Sequence, residues 1–173
     1  MTARSAIACA LAAAFVRTIA LSGEVVSQDS NRMETQDDLL VRVGKHVPGF
    51  GGMYVDLDGR LVVYLLDTAQ LPVARSAIEA VFGPDRVPAA GVRAVKGQYT
   101  VSQLAAWTRR AAAVLDLTGV TLVDLDEARN RVAIGVDDRL RVKAVAKALS
   151  SMKVPRAAVV IDVTGPIRPV NRR

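Results

Sequence analysis

The feature that most constrains this chain is a pattern written twice. "YVDLDGRLVVYLLD" runs from Tyr54 to Asp67, and "LVDLDEARNRVAIGVD" runs from Leu122 to Asp137. Each has an apolar strand pattern, the tetrad VDLD, a polar bend and a second apolar strand. Period-two alternation such as Val132, Ile134 and Val136 marks a half-buried strand. The run Leu61 to Leu65 is apolar on both faces, as for a strand covered on both sides. Asp58-Gly59 is a two-residue hairpin signal. Glu127-Ala128-Arg129-Asn130 turns the second hairpin. An offset of 68 superimposes the tetrads and maps Asp56 onto Asp124 and Gly51 onto Gly119.

Helical patterns flank both hairpins. Leu39, Leu40, Val43 and Val47 share one helical face before the first, and Pro48-Gly49 ends that helix. "LPVARSAIEAVF" carries Pro72 near its start and is stopped by Gly83-Pro84. Thr100-Val101-Ser102-Gln103 reads as a capping box, followed by the stripe Leu104, Trp107, Ala111, Val114 and Leu115. Asp137 or Asp138 opens the last helix, whose inner face holds Val142, Val145, Ala146, Leu149 and Met152. Short strands follow in "GVRAVKGQY" and "AAVVIDV". Each half therefore reads α-β-β-α-β. The expected fold is α+β: two similar ferredoxin-like units, each a three-stranded, mostly antiparallel sheet with helices on one face. The units span 33–99 and 100–165.

The N-terminus has a different character. Arg4 precedes the apolar run Ser5 to Val16, which is short for a bilayer span and is followed by Arg17. With Ala20 and Ser22 spaced for cleavage, residues 1–22 read as a signal peptide, 23–32 as a polar linker, and the protein as secreted or periplasmic. Cleavage would leave no membrane anchor. It would also remove Cys9, the only cysteine, and with it any disulfide, thiol nucleophile or cysteine metal site.

The residues offer little chemistry. His46 is the only histidine, stands at a helix end and lacks a serine turn to serve. Asp56 to Gly59 has the wrong spacing for a calcium loop. Asp124 and Asp126 share a strand face, a weak case for paired-carboxylate hydrolysis. "GFGG" (Gly49 to Gly52) precedes a strand, not the helix a phosphate cradle needs. The expectation is no enzyme, no cofactor and no metal. Net charge is +6, with nine Lys/Arg and one acid from Arg139 onward, which favours acidic partners. Without an RNP-type aromatic pattern, nucleic acid is not the expected partner.

"YTVSQLAAWTRRAAAVLDLTGVTLVDLDEARNRVAIGV" (Tyr99 to Val136) resembles the N-terminal pro-regions of bacterial chymotrypsin-like serine proteases, the alpha-lytic protease and streptogrisin group. The resemblance is carried by the aromatic residue, the short helix and the hairpin residues Asp126, Asn130, Arg131, Val132, Gly135 and Val136. "VTGPIRPV" (Val163 to Val170) is similar to the segment leading out of such a pro-region. The first half is similar to the start of related secreted chains, so the likeness covers about 48–170.

The resemblance implies a non-catalytic module that binds a serine protease in trans, assists its folding or inhibits it, and works by strand pairing and tail insertion. The implied contact residues are Val159, Val160, Ile161, Asp162, Val163, Thr164, Gly165, Pro166, Ile167 and Arg168, with 166–173 as an extended basic tail. The alternatives are a ferredoxin-like small-molecule or protein binding module, and a truncated remnant without function.

Overall fold

The structure, a computed structural model, describes residues 34–165. The expected signal peptide and linker, and the tail from Pro166 with Ile167 and Arg168, lie outside the described residues. Helix α1 is Gln36–His46, strand β1 Phe50–Val55, β2 Leu61–Leu65, helix α2 Leu71–Phe82 and β3 Val92–Lys96. The second half supplies α3 Val101–Ala111, β4 Val120–Asp126, β5 Arg131–Val136, α4 Val142–Ser151 and β6 Val159–Val163. Two similar α-β-β-α-β units are thus present, as the periodicity implies.

Each half forms a three-stranded sheet, in order β1-β2-β3 and β4-β5-β6. The hairpin pairs are antiparallel, whereas β3 and β6 run parallel to β2 and β5. The sheets are mixed because a helix carries the chain back over the sheet before its third strand, and a crossover returns the strand in parallel.

Local chemistry sets the helix ends. Thr35 and Asp38 form a capping box on α1, and Thr100 and Gln103 form the anticipated one on α3. Two orphan amides are satisfied at each start. Pro72 sits in the first turn of α2, and Gly83 ends that helix with φ 93°, a conformation only glycine adopts readily. Asp67 and Asp138 cap equivalent 3-10 turns ahead of α2 and α4.

One continuous apolar cluster joins the halves. It contains Leu40 and Val43 of α1, Phe50, Met53, Leu61 and Val63 of the first sheet, Leu104 of α3, and Val132 and Ile134 of the second. Each such side chain contributes about 1.5–3 kcal/mol on burial. Val62, on the opposite face of β2, is also fully buried, so the two-sided burial read from its sequence holds.

Three readings change. β1 stops at Val55, so Leu57, which strict alternation places on the same side as Met53 and Val55, lies beyond the strand and is fully exposed. The first turn is wider than Asp58-Gly59. It spans 56–60, with the Asp56 carboxylate accepting from the amides of Asp58 at 3.1 Å and Arg60 at 2.9 Å. A side chain that satisfies turn amides replaces ladder bonds there. Leu115 is half exposed, because the helix tightens into a 3-10 segment after Ala111 and the 3.6-residue stripe drifts off the core.

The internal repeat is real in three dimensions but its register differs. Gly49 and Gly119 both have positive φ, 84° and 85°. Their carbonyls accept from Leu66 and Asp137 in turn. Both first strands carry a bulge one residue later, between Phe50 and Gly52 and between Val120 and Leu122. Gly49 therefore matches Gly119, and Asp56 matches Asp126, two residues away from the tetrad alignment. A slip of two preserves which face each side chain takes, so the tetrads can match in letters while serving different positions.

Candidate functional site: a strand edge and the cleft beside it

The residues implied as a partner site lie on β6 and just beyond it. Among the described residues, β6 is the last strand of its sheet and pairs only with β5. The Thr164 amide donates to the Val136 carbonyl at 2.8 Å. Amides alternate in direction along a strand, so those of Ile161 and Val163 point away from β5. Val160, Ile161 and Asp162 are partly exposed and Val163 is 51% exposed. The structure thus brings Val159, Val160, Ile161, Asp162 and Val163 into one edge, with Thr164 and Gly165 leading out of it.

The outer face of the same sheet, away from the helices, borders a cleft of about 430 Å³. Its walls come from both halves: Tyr54 and Val55 of β1 face Leu122, Asp124 and Asp126 of β4, with Asp162 and Thr164 on the far side. Along β5 the cleft meets Ala133 and Gly135. Gly135 is required there: a Cβ would lie 2.6 Å from the Thr121 hydroxyl and 3.2 Å from the Thr164 methyl. The Thr121 and Thr164 hydroxyls are themselves hydrogen bonded at 2.7 Å.

Carboxylates dominate the polar part of this surface. Asp126 and Asp162 share Arg129, and these hydrogen bonds, that to Asp162 first, raise the arginine's pKa further. Glu127 accepts a hydrogen bond from Gln36 at 3.3 Å. Its pKa is raised, first by desolvation and also by the charges of Asp37 and Asp124. Asp37, in the first turn of α1, is raised by desolvation and then by Asp124 and Asp38. Among the described residues, Asp37, Asp124 and Glu127 make no ion pair. Nor is any group of three or more His, Cys, Asp and Glu placed to hold a metal ion.

The other candidates fall into structural positions. His46 occupies the last turn of α1, about 14 Å along the helix from Asp37. It is not brought to the carboxylates. Gly51 lies in β1, where a Cβ would come 2.7 Å from the Tyr99 carbonyl and 2.9 Å from Asn130 Nδ2. "GFGG" therefore serves close packing between the halves.

The hairpin motif contains a residue that sequence reasoning used without assigning it a role. Asn130 is 1% exposed and has φ 53°. Its Oδ1 accepts from the amides of Gln98 and Tyr99 at 2.9 and 3.0 Å. Its Nδ2 donates to the carbonyls of Gly51 and Tyr99 at 2.8 and 2.9 Å. Beside it, Arg131 lies 5.1 Å over the Tyr99 ring and bonds Gln98. Tyr99 meets Trp107 edge-on at 5.2 Å. The Tyr64 hydroxyl donates to the Ala128 carbonyl at 2.9 Å. The second hairpin's turn is thereby tied to the first half, and its motif residues act in folding.

The chain matches no family model and no curated protein.

Proposed function

We propose that the protein is a non-catalytic binding module, similar to a protease pro-region, that docks on a chymotrypsin-like serine protease by strand addition. The observation that carries this reading is β6 at a sheet edge, with the amides of Ile161 and Val163 pointing outward. An incoming strand satisfies such groups and gains affinity from main-chain hydrogen bonds. The segment from Gly165 then continues into the protease cleft. Pro166 and Pro169 restrict its backbone and lower the entropy lost on ordering it.

The test is binding of the purified protein to a panel of bacterial chymotrypsin-like proteases, with residual protease activity read alongside. Val163→Pro removes one outward donor and no bond to β5, a substitution an edge strand tolerates. Binding to a panel member, weakened about tenfold by Val163→Pro, supports the module. Inhibition lost on deleting 166–173 while binding persists supports tail insertion. Binding unchanged in Val163→Pro removes the strand-pairing mechanism, and no binding to any member removes the protease as partner.

A further inference from the structure

The cleft on the outer face of the second sheet takes Asp162 and Thr164 as one wall but not the outward amides of Ile161 and Val163, and its chemistry specifies an occupant. The first half uses the equivalent part of its own sheet. There Gly51 leaves room for Asn130, and the amides of Gln98 and Tyr99 hold that side chain. In the second half the bulge residue is Thr121, closed onto Thr164. The two positions after Thr164 are Gly165 and Pro166, and proline has no amide to donate. The second sheet therefore lacks the means to hold another such turn: the space over Gly135 is closed by Thr121, Leu122 and Thr164, and the cleft beside it is bounded by Ala133, Leu122, Asp124 and Tyr54.

What the cleft offers instead is a mixed surface, with apolar side chains beside carboxylates. Leu122 and Val55 give apolar sides, and both are substantially exposed. Tyr54 contributes an aromatic ring, 6.0 Å from that of Tyr64. Asp124 and Glu127 bring carboxylates to the rim, and Asp37 adds to their field. Among the described residues, two cations border the cleft. Arg129 is already shared by two aspartates, and Arg86 lies over the Phe82 ring at 5.2 Å. Among the described residues, Asp124 and Glu127 thus line the cleft without an ion pair of their own.

We propose that this cleft receives the arginine side chain of an extended peptide from a partner protein. The volume suits a single long side chain with its flanking backbone. Arginine fits each wall: its methylene stem lies along apolar surface, its guanidinium stacks on an aromatic face, and its planar fork matches carboxylates. A lysine lacks the fork and the stacking.

The probe is a pentapeptide, acetyl-Ala-Ala-Arg-Ala-Ala-amide, titrated into the full chain by calorimetry, with lysine and norleucine versions alongside. The expected result is saturable binding below about 1 mM for arginine, weaker binding for lysine and none for norleucine. Asp124→Asn with Glu127→Gln should weaken it at least about tenfold, with thermal unfolding checked for each variant. Ala133→Leu, which fills the cleft and leaves the charges, should also abolish it. Val163→Pro should leave it intact, which separates this site from the strand edge. Absence of saturable binding, or equal binding of norleucine, overturns the proposal. So does indifference to the double substitution. Binding that emerges only when Arg168, Arg172 and Arg173 are changed to Gln would assign the cleft to the chain's own tail. Self-association lost in the double variant would assign it to a second copy. Either result replaces the proposal.

Discussion

Asn130 is the residue on which the joining of the two halves depends most. Replacing it with alanine leaves two amides and two carbonyls at the junction without their partner, and it places a Cβ residue with no polar side chain at positive φ. Unsatisfied buried groups cost about 1–3 kcal/mol each, and relaxation recovers part of the sum. Asn130→Ala should therefore lower unfolding free energy by about 3 kcal/mol, measured by urea denaturation at neutral pH. Asn130→Asp should be comparably harmful, because a carboxylate cannot donate to the Gly51 and Tyr99 carbonyls. The residue type was legible in the sequence as a turn former. Its four tertiary bonds were not, since their partners lie 31–79 residues away.

At the scale of elements, the start of α3 was the most legible of the helix starts, whereas α4 begins at Val142, after the 3-10 turn that Asp138 caps. The signal at α3 is contained in four residues, from Thr100 to Gln103. Thr100→Ala should cost about 1 kcal/mol, checked by thermal unfolding. The hairpins were legible in kind and less so in detail. Five residues around Asp56 make the first turn, and the bulges at Gly51 and Thr121 shift the equivalence of the halves. A bulge adds one unpaired residue without altering alternation elsewhere, so periodicity alone does not locate it. Gly135→Ala tests the second bulge directly. Its Cβ would press on Thr121 and Leu122, and the expected loss is about 1–3 kcal/mol, reduced in a Gly135→Ala/Thr121→Ala double variant.

At the scale of the whole molecule, a shared core implies that the halves unfold together. A single cooperative transition, coincident by circular dichroism and by Trp107 fluorescence, is the expected outcome. The carboxylates give this stability a pH dependence of defined sign. Glu127 and Asp37 have folded pKa values above their ordinary ones. The folded state then binds protons more readily than the unfolded chain, so their contribution falls as pH rises from the ordinary carboxylate range through the raised values. Glu127→Gln should raise the melting temperature at pH 7 relative to the parent and narrow the difference near pH 4. Asp56 has the opposite sign: its turn amides, first that of Arg60, hold its pKa low. Its contribution is present at neutral pH and lost as pH falls through that lowered value. Asp56→Asn should therefore cost most at neutral pH.

By itself the sequence determined the number, kind and order of the elements, because periodicity, caps and turn residues act within one or two turns of chain. It also determined that the chain is built from two like halves. Tertiary structure decided how those halves interlock at Asn130, that β6 lies at a sheet edge, and that acids of β4, the turn after it and β6 line one cleft. These depend on strand order and on contacts between distant residues. Many chain paths satisfy the same local pattern, and only packing all the apolar faces into one core selects among them.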